Sequence, residues 1–373
     1  MRLLDRYLLR ELLLPLGYCL CGFLIFWVSS DLINEIGNFQ KKHLVFREIA
    51  EYYLVTTPEL LLVVMPVALL LALLYALTTH ARYNELTAMR AAGISLWRIS
   101  VPYFAVGLFF SLVYFGINEF WVPGSPEKAE EILHRHDARQ SNPLGADWRN
   151  DLRFLNSRDN RAWRIKAYHQ KTFQLQGVFI DWFLPGGQRS FITAQSGKFV
   201  GGTWQFSNVE QVTYSSTLDM VGTRLSTNLL EFSDWLESPR LIKSEIKINN
   251  LSSKQALRKP QLSIVDIINY LQLHTRLNAN SRSLIYTQLH GRIAAPWTCL
   301  IVVLIALPFG ALSGRRNVFV GVASSIFICF TYFILLRLGL ALGIGGYLPG
   351  WLAAWLPNIL FGSAAIWFTL RVR

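Results

Sequence analysis

Few of the polar side chains in this chain form patterns that support catalysis or metal binding. His134 and His136 are two residues apart on a predicted helix, which turns them to different faces, and cysteine or glutamate does not complete a zinc set with them. Gly197 and Lys198 lack the upstream glycine of a phosphate-binding loop and are followed by Phe199. No serine lies in the G-x-S-x-G context of a hydrolase nucleophile. We therefore predict no catalytic residue, no metal site and no directly bound cofactor.

The most informative polar segment is a short connection between two apolar runs. Asn84 is a suitable N-cap and Gly93 a suitable C′ residue, so the spacing predicts a helix over about residues 83–93. Glu85 falls in its first turn and Arg90 near its last, and both charges complement the helix dipole. Two interpretations remain open: a surface helix that only joins two spans, or a coupling helix that docks on a cytoplasmic motor protein.

Three basic side chains are candidates for contact with an anionic lipid or substrate. Lys41 and Lys42 follow the first apolar run, where an outward pair of ammonium groups would attract phosphorylated headgroups. An ordinary solvated pair is the alternative. Arg337 follows Arg316 by 21 residues, about 31 Å at helical rise, and would snorkel to the outer interface or bind substrate phosphate. Glu119, at the outer end of its span, is predicted to pair with an arginine or lysine.

Six apolar runs must position these side chains, and each is close to the ~20 residues that a helix needs to cross a bilayer. They cover residues 12–30, 57–78, 99–120, 293–312, 318–343 and 351–370. At 52% hydrophobic residues the chain is too apolar for a soluble protein of this length. We predict an α-helical membrane protein with six transmembrane helices (3+3) and an inserted domain, divided as residues 1–122, 123–290 and 291–373.

The distribution of positive charge predicts the orientation. Basic residues occupy one set of connections and the chain ends: Arg2, Arg6, Arg10, His80, Arg82, Arg90, Arg98, Arg315, Arg316, Arg371 and Arg373. By the positive-inside rule both termini are cytoplasmic and residues 121–291 lie outside. The connection over residues 31–51 would also lie outside. Its basic residues are an exception to the positive-inside rule, which attraction to anionic headgroups would explain.

The inserted domain has the alternating pattern of β-strands between residues 148 and 231. One run approximates a period-two face with an irregularity at Gly177, and Gly201 with Gly202 marks a hairpin. The apolar residues of that face are Phe173, Leu175, Val178, Ile180 and Trp182. They are candidates for lining an acyl-chain path, although ordinary sheet core needs the same alternation. Strands at this spacing predict a β-sandwich or a β-jelly-roll-like sheet in the inserted outer domain, flanked by helices over residues 126–139 and 264–277.

Four segments together resemble a known family of membrane proteins. They are residues 83–95, 4–7, 118–123, and 307–310 followed by Arg315 and Arg316. In these segments and in its 3+3 layout, the whole chain resembles the LptF/LptG (YjgP/YjgQ) permeases of the lipopolysaccharide export ABC transporter. The first segment corresponds to the coupling helix of that family, and residues 4–7 favour the G-like over the F-like subunit without settling the choice.

The resemblance implies a permease subunit in the inner membrane of a Gram-negative bacterium. Its expected partners are an LptB-like ABC ATPase dimer, a second LptF/LptG-type permease, an LptC-like single-span bridge protein and lipopolysaccharide, with ATP and Mg on the ATPase. Glu85, with Met89 and Arg90, is expected to contact the ATPase. Lys41 and Lys42 follow span one where the family often has basic residues near lipid phosphates.

Two other classes of function remain as alternatives. A mechanotransmitting ABC permease that acts on a periplasmic partner would also need a coupling helix, but such proteins usually have four spans. An intramembrane lipid-modifying enzyme would need an acid/base pair clustered at the membrane surface, and none is evident in the sequence.

Overall fold

A computed structural model describes residues 3–133, 135, 148–214, 221–233, 235–251, 262–275, 277–311 and 318–371. The chain forms two compact units. The membrane unit comprises Met1–Leu133 and Ala279–Arg373, and the β unit comprises His134–Asn278. His134, His136, Arg315 and Arg316 lie outside the described residues.

Helices account for most of the described residues. They are α1 (Leu3–Lys41), α2 (Phe46–Arg82), α3 (Glu85–Ala91), α4 (Leu96–Gly116), α5 (Ser125–Leu133), α6 (Pro239–Leu251), α7 (Ile264–Leu273), α8 (Ala279–Ala294), α9 (Trp297–Ala311), α10 (Val318–Ile344) and α11 (Gly350–Arg371). A π-helical turn (Ile117–Trp121) and a 3₁₀ turn (Val122–Gly124) join α4 to α5. Five helices in the described residues are long and apolar enough to span a membrane, or six if the bent pair α8 and α9 forms one span. The predicted helical membrane protein with an inserted β domain is confirmed.

The first two spans are longer than their apolar runs indicate. The predicted connection over residues 31–51 is mostly helix, because α1 continues to Lys41 and α2 begins at Phe46. Phe39 is buried against the rings of Tyr52 and Tyr53, with centroids 5.4 and 6.3 Å away. This aromatic packing extends the α1–α2 hairpin beyond its hydrophobic segments, where hydropathy alone gives no signal.

The fourth span is bent where the sequence predicts one straight run. The axes of α8 and α9 differ by 54°, with a break at Ala295 and Pro296. The break frees the carbonyl of Ala294, which accepts a hydrogen bond from Nδ2 of Asn358 at 2.9 Å. Asn358 Oδ1 in turn accepts from the hydroxyl of Tyr332 at 2.7 Å. Backbone groups freed inside a membrane segment need internal partners, and this buried network supplies one.

Close helix packing at small residues holds α8, α10 and α11 together. A Cβ atom added to Gly343 of α10 would lie 2.6 Å from Cβ of Ala353 and 2.7 Å from Oγ1 of Thr287. One turn earlier, a Cβ at Gly339 would lie 2.5 Å from the carbonyl oxygen of Ala353. Small residues at such positions let helix backbones approach closely in a membrane.

We expect the substitution Gly343→Leu to destabilise the membrane unit by about 1–3 kcal/mol, because the larger side chain forces α10 away from its neighbours. The measurement is the thermal unfolding of the full-length protein in detergent. Gly22→Leu is the matched control, since a Cβ at Gly22 meets no atom within 4 Å. Equal unfolding temperatures for the two variants would contradict the packing argument.

The β unit contains one antiparallel sheet. Its strands are β1 (Trp148–Asn156), β2 (Arg161–His169), β3 (Gln174–Phe183), β4 (Arg189–Val200), β5 (Thr203–Tyr214) and β6 (Val221–Phe232). They follow one another in the order β1-β2-β3-β4-β5-β6. One face of the sheet is apolar and buries Ile165, Ile180, Ile192 and Phe206, with Ile242 of α6 packed in the same core. The hairpin predicted at Gly201 and Gly202 joins β4 to β5.

Along one row of residues that crosses the sheet, the regular alternation of inward-facing and outward-facing side chains is interrupted. The pairing places Asp151, Lys166, Gly177, Gln195 and Asn208 opposite one another on β1 to β5. Asp151, Gly177 and Asn208 have positive φ angles of 52°, 61° and 52°. On both sides of this row inward and outward residues alternate normally, but across it the buried residues are three positions apart, as at Leu175 and Val178 on β3 and at Phe206 and Val209 on β5. The predicted irregularity at Gly177 is confirmed, and it extends through neighbouring strands.

A buried carboxyl on α6 predicts a pH-dependent stability for the β unit. Glu245 is 1% exposed, and its Oε1 atom lies 3.2 Å from Nδ1 of His274, whose ring stacks on Tyr270. Burial raises the pKa of Glu245 to about 8 and lowers the pKa of His274. Both groups are therefore neutral at pH 7.

The two groups give pH effects of opposite sign, and above pH 6.5 only Glu245 contributes. Glu245 contributes full stability below its unfolded pKa of 4.5, and that contribution is lost as pH rises through about 8. The total is at most about 5 kcal/mol at about 1.4 kcal/mol per pKa unit. His274 destabilises the fold only as pH falls below 6.5. We expect amide hydrogen exchange in α6, corrected for its intrinsic pH dependence, to show stability that falls from pH 6.5 to about 8 and is level above that pH. Glu245→Gln should abolish this trend, and an unchanged trend would exclude Glu245 as its source.

Candidate functional site

The short helix α3 lies in the connection between α2 and α4. Its C-terminus has the predicted glycine: Gly93 has φ of 83°, and the amides of Gly93 and Ile94 donate to the carbonyls of Arg90 and Met89. These two bonds form a Schellman motif. At the other end Asn84 takes the N-cap position but has φ of 57°, and its side chain makes no capping bond. The predicted N-cap position of Asn84 is therefore confirmed, but its contribution is the left-handed backbone that asparagine tolerates and not a side-chain hydrogen bond.

Glu85 is joined to two other helices. The hydroxyl of Tyr7 in α1 donates to Oε2 of Glu85 at 2.9 Å. Nδ1 of His80 in α2 lies 2.7 Å from the same oxygen, and His80 is 1% exposed. The Glu85 side chain itself is 33% exposed. The Glu85 carboxylate therefore links α3 to both α1 and α2, while about a third of its side chain stays exposed.

A second ionic contact connects the start of α1 to the chain that follows α3. Nη2 of Arg98, in the first turn of α4, lies 2.9 Å from the carboxylate of Asp5. Asp5 and Tyr7 are two residues apart, and each contacts a different end of the α2–α3–α4 connection. From Leu8 onwards α1 buries a stripe of leucines at helical spacing, which anchors this first turn.

The remaining side chains of α3 divide into an inner and an outer set. Leu86 is buried, and Met89 is partly buried and packs against the core of the membrane unit. Arg90 is exposed, and two exposed aromatic rings flank the helix, Tyr83 at 67% and Trp97 at 59%. Exposed aromatic side chains beside an arginine are typical of protein–protein contact surfaces.

The three candidate basic residues lie on separate elements. Lys41 is the exposed last residue of α1, and Lys42 is half-buried in the turn that follows. Arg337 is exposed and lies seven residues before the end of α10 at Ile344. The predicted pairing of Glu119 is confirmed, since its Oε2 lies 4.0 Å from Nη1 of Arg292 and both side chains are buried.

The apolar residues of the candidate acyl path differ in exposure. Leu175, Val178 and Ile180 are at most 1% exposed and belong to the core that includes α6. Trp182 is partly buried at the margin of that core. Phe173 precedes β3, has φ of 56° and is 38% exposed. In this conformation the inward face of β3 is covered by the chain itself.

A buried polar cluster ties the segment before α6 to one end of the sheet. Glu237 is 0% exposed and accepts hydrogen bonds from side chains of Arg161, Asn156 and Trp163 at 2.8 to 3.1 Å. Its carbonyl accepts from Nε1 of Trp204 at 2.6 Å. The Arg161 guanidinium also lies over two tryptophan rings. This end of the apolar face is closed by a fully bonded ion pair.

Several residues of these sites belong to no motif or spacing pattern that would predict their roles. Tyr7 lies within the residue 4–7 segment that carries part of the resemblance, but its partner Glu85 is 78 residues away. In the sequence His80 is only one of several basic residues in its connection, and Arg292 and Asn358 belong to no recognisable pattern. In each case the partner is distant in sequence, so that no spacing pattern could have revealed it.

Comparison with protein families gives one match over almost the entire chain. The model of the lipopolysaccharide export system permease LptF/LptG matches residues 6–371. The chain belongs to this family. A comparison with curated proteins found no significant match. The match includes both the membrane unit and the β unit, so it covers α3 as well as the sheet.

Membership of the LptF/LptG family defines the general activity. The chain is a permease of the lipopolysaccharide export system and a multi-pass protein of the inner membrane. LptF/LptG proteins are transporter permeases and are not enzymes themselves. Within the described residues, no group of three or more histidine, cysteine and acidic side chains is placed to hold a metal ion.

Proposed function

We propose that this LptF/LptG permease uses ATP hydrolysis on a separate ABC ATPase dimer to extract lipopolysaccharide from the inner membrane and pass it to a periplasmic bridge. The observation that carries the proposal is the bonding of Glu85. Its contacts with Tyr7 and His80 connect the exposed helix α3 to two long apolar helices. ATP and Mg belong to the ATPase subunits, which are LptB-like. A second LptF/LptG-type permease and an LptC-like single-span protein complete the complex.

The bonding of α3 supports a mechanical route. The ATPase contacts α3 through Glu85, Met89 and Arg90, and closure of the ATPase dimer pushes this helix. The displacement passes through Glu85 to α1 and α2. Only 11% of the most apolar window of α1 is buried, against 61% for α2, so α1 offers the larger apolar surface to lipid or to a partner permease. Movement of α1 then narrows the cavity between the two permeases and expels the lipid.

The basic residues and the β unit receive the substrate in this proposal. Both termini are cytoplasmic and the β unit is periplasmic, so Lys41, Lys42 and Arg337 lie toward the outer leaflet and contact lipid phosphates. Acyl chains then follow the inward face of β3. Because Leu175, Val178 and Ile180 are buried in a core that also contains Ile242 and Ile246 of α6, this path requires that core to open or the lipid to use the accessible margin at Phe173 and Trp182.

Two experiments test these steps. The tagged protein is extracted from its native membrane in mild detergent, and its partners are identified by mass spectrometry. Recovery of an ABC ATPase and a second six-span permease supports the proposal, whereas repeated recovery of the chain alone contradicts it. Photocrosslinkers at Val178 and at the solvent-facing Gln174 then test the path. Lipopolysaccharide labelled only from Gln174 would refute the lining role.

A further inference from the structure

The outward face of the β-unit sheet contains a groove that the proposed transport path does not use. The groove follows the row of residues at which the strands change phase, and its volume is about 1260 Å³. Its lining comes from β1 to β4 and includes Asp151, Arg164, Lys166, Gln176 and Gln195. Four strands at a separation of about 4.8 Å make it about 14 Å long. This exceeds the roughly 300–1,000 Å³ of ordinary small-molecule pockets.

Gly177 lines the groove, and its backbone conformation and close approach to the neighbouring strand both favour glycine. Gly177 has φ of 61°, and a Cβ atom there would lie 2.9 Å from Cβ of Lys166 on the neighbouring strand. The same row has positive φ at Asp151 and Asn208, so the bend extends across the sheet. Asparagine and aspartate tolerate this conformation better than other non-glycine residues. The groove is therefore part of the fold of the sheet and does not depend on the rotamer of one surface side chain.

Among the described residues, the groove has positive charge that no carboxylate pairs with. Its one carboxylate, Asp151, is bonded by Nε and Nη2 of Arg153 at 3.0 and 2.9 Å. Two other acids on the described sheet are also paired, Asp181 with Arg189 and Glu210 with Arg224. In the described residues no carboxylate pairs with Arg164 or Lys166. Both side chains are exposed, and they provide donors suited to a phosphate or carboxylate.

The other groups in the groove suit a ligand rich in hydroxyl groups. Gln176 presents an amide that can both donate and accept hydrogen bonds, and Gln195, whose oxygen accepts from Nδ2 of Asn208 at 2.6 Å, presents an amide donor. Phe179 contributes an aromatic ring, held by the Arg164 guanidinium 5.9 Å from its centroid and by Phe191 at 5.9 Å. An aromatic face packs against the C–H surface of a sugar ring, while amides bond its hydroxyls. A polar lining of this kind does not favour acyl chains.

We propose that this groove binds an anionic oligosaccharide, such as the phosphorylated sugar portion of the exported lipid. Extended peptides usually bind by pairing their backbone with a sheet edge. The groove instead lies on the face of paired strands, whose backbone groups already bond each other, so a ligand must bind through side chains. The identity of the saccharide rests on the function proposed above; the chemistry of the groove does not.

The test uses the full-length protein in detergent and isothermal titration calorimetry. The probe is the phosphorylated oligosaccharide obtained by removing all acyl chains from lipopolysaccharide. Neutral maltohexaose, inorganic phosphate and polyaspartate are titrated in parallel. The test variant is Arg164→Gln combined with Lys166→Gln. Lys198→Gln on β4 is the control, because Lys198 is exposed on the same sheet but does not line the groove.

We expect the phosphorylated oligosaccharide to bind, and the double variant to weaken its Kd about tenfold or more through loss of charge-assisted hydrogen bonds. The control should bind as the wild type does. Binding that is absent, or equal in all three proteins, overturns the proposal. Equal binding of polyaspartate would assign the groove to an acidic peptide, and equal binding of inorganic phosphate would show a simple anion site; both overturn it. The probe has no acyl chains and the titration needs no ATPase. If the proposed lipid extraction or ATPase recruitment fails, the binding measured for the groove is therefore unaffected.

Discussion

Lipopolysaccharide export is expected to fall at least about thirtyfold when Glu85 is replaced by alanine. The carboxylate joins α3 to Tyr7 and His80, and its removal separates the helix from α1 and α2 while also removing a charge from the surface proposed to contact the ATPase. Loss of a central charged contact at a protein interface typically costs 2 kcal/mol or more, which is about thirtyfold in affinity. Co-purification of the ATPase and export in reconstituted vesicles are the two measurements.

Two further variants separate docking from transmission. Tyr7→Phe removes only the hydroxyl that donates to Glu85. The ATPase should therefore still bind, while ATP hydrolysis becomes less coupled to export. Glu130→Ala makes the same chemical change as Glu85→Ala at an exposed position on α5 and should leave both measurements unchanged. If Glu85→Ala supports normal assembly and export, the role assigned to this residue is wrong.

The second large effect is expected at Glu237. Replacement by alanine should destabilise the β unit by about 3–5 kcal/mol, because it leaves the buried guanidinium of Arg161 without its main carboxylate partner. Asn156 and Trp163 lose an acceptor at the same time. Hydrogen exchange of the β2 amides in the full-length protein measures this loss, since the strand contains both Arg161 and Trp163.

An exposed glutamate on the same sheet provides the comparison. Glu231 on β6 accepts one hydrogen bond from Gln205 at 2.9 Å near the surface. Glu231→Ala should change β2 exchange by less than about 0.5 kcal/mol, as is usual for surface positions. Similar protection factors in Glu237→Ala and the wild type would show that the cluster does not hold the segment before α6 to the sheet.

Much of the architecture could be predicted from the sequence because it depends on local patterns. Hydropathy indicated the spans, and period-two alternation indicated the strands from Trp148 onwards. Gly93 was predictable because only a residue without Cβ adopts φ of 83° easily at a helix C-terminus. Gly177 was noticeable for a related reason: a glycine interrupts an otherwise regular apolar alternation.

What could not be predicted depends on contacts between distant residues. Hydropathy does not show that α1 continues to Lys41, because packing of Phe39 on α2 extends the helix there. The bend before α9 is stable because Asn358, 64 residues further along the chain, bonds the freed carbonyl of Ala294. Leu175, Val178 and Ile180 share one buried face as predicted, but Phe173 does not, and the core they belong to also includes Ile242 and Ile246 from a helix in another part of the sequence.

The corner between α8 and α9 has a consequence for how the permease can move. Its freed carbonyl is bonded by Asn358, and the hydroxyls of Tyr332 and Thr298 lie 2.7 Å apart in the same buried network. Straightening the corner would leave these groups unpaired in a medium without water. The two arms of the fourth span, α8 and α9, should therefore move as one rigid unit. Flexibility during transport then has to come from sliding between neighbouring helices, and a force on one arm reaches the other without being absorbed at the angle.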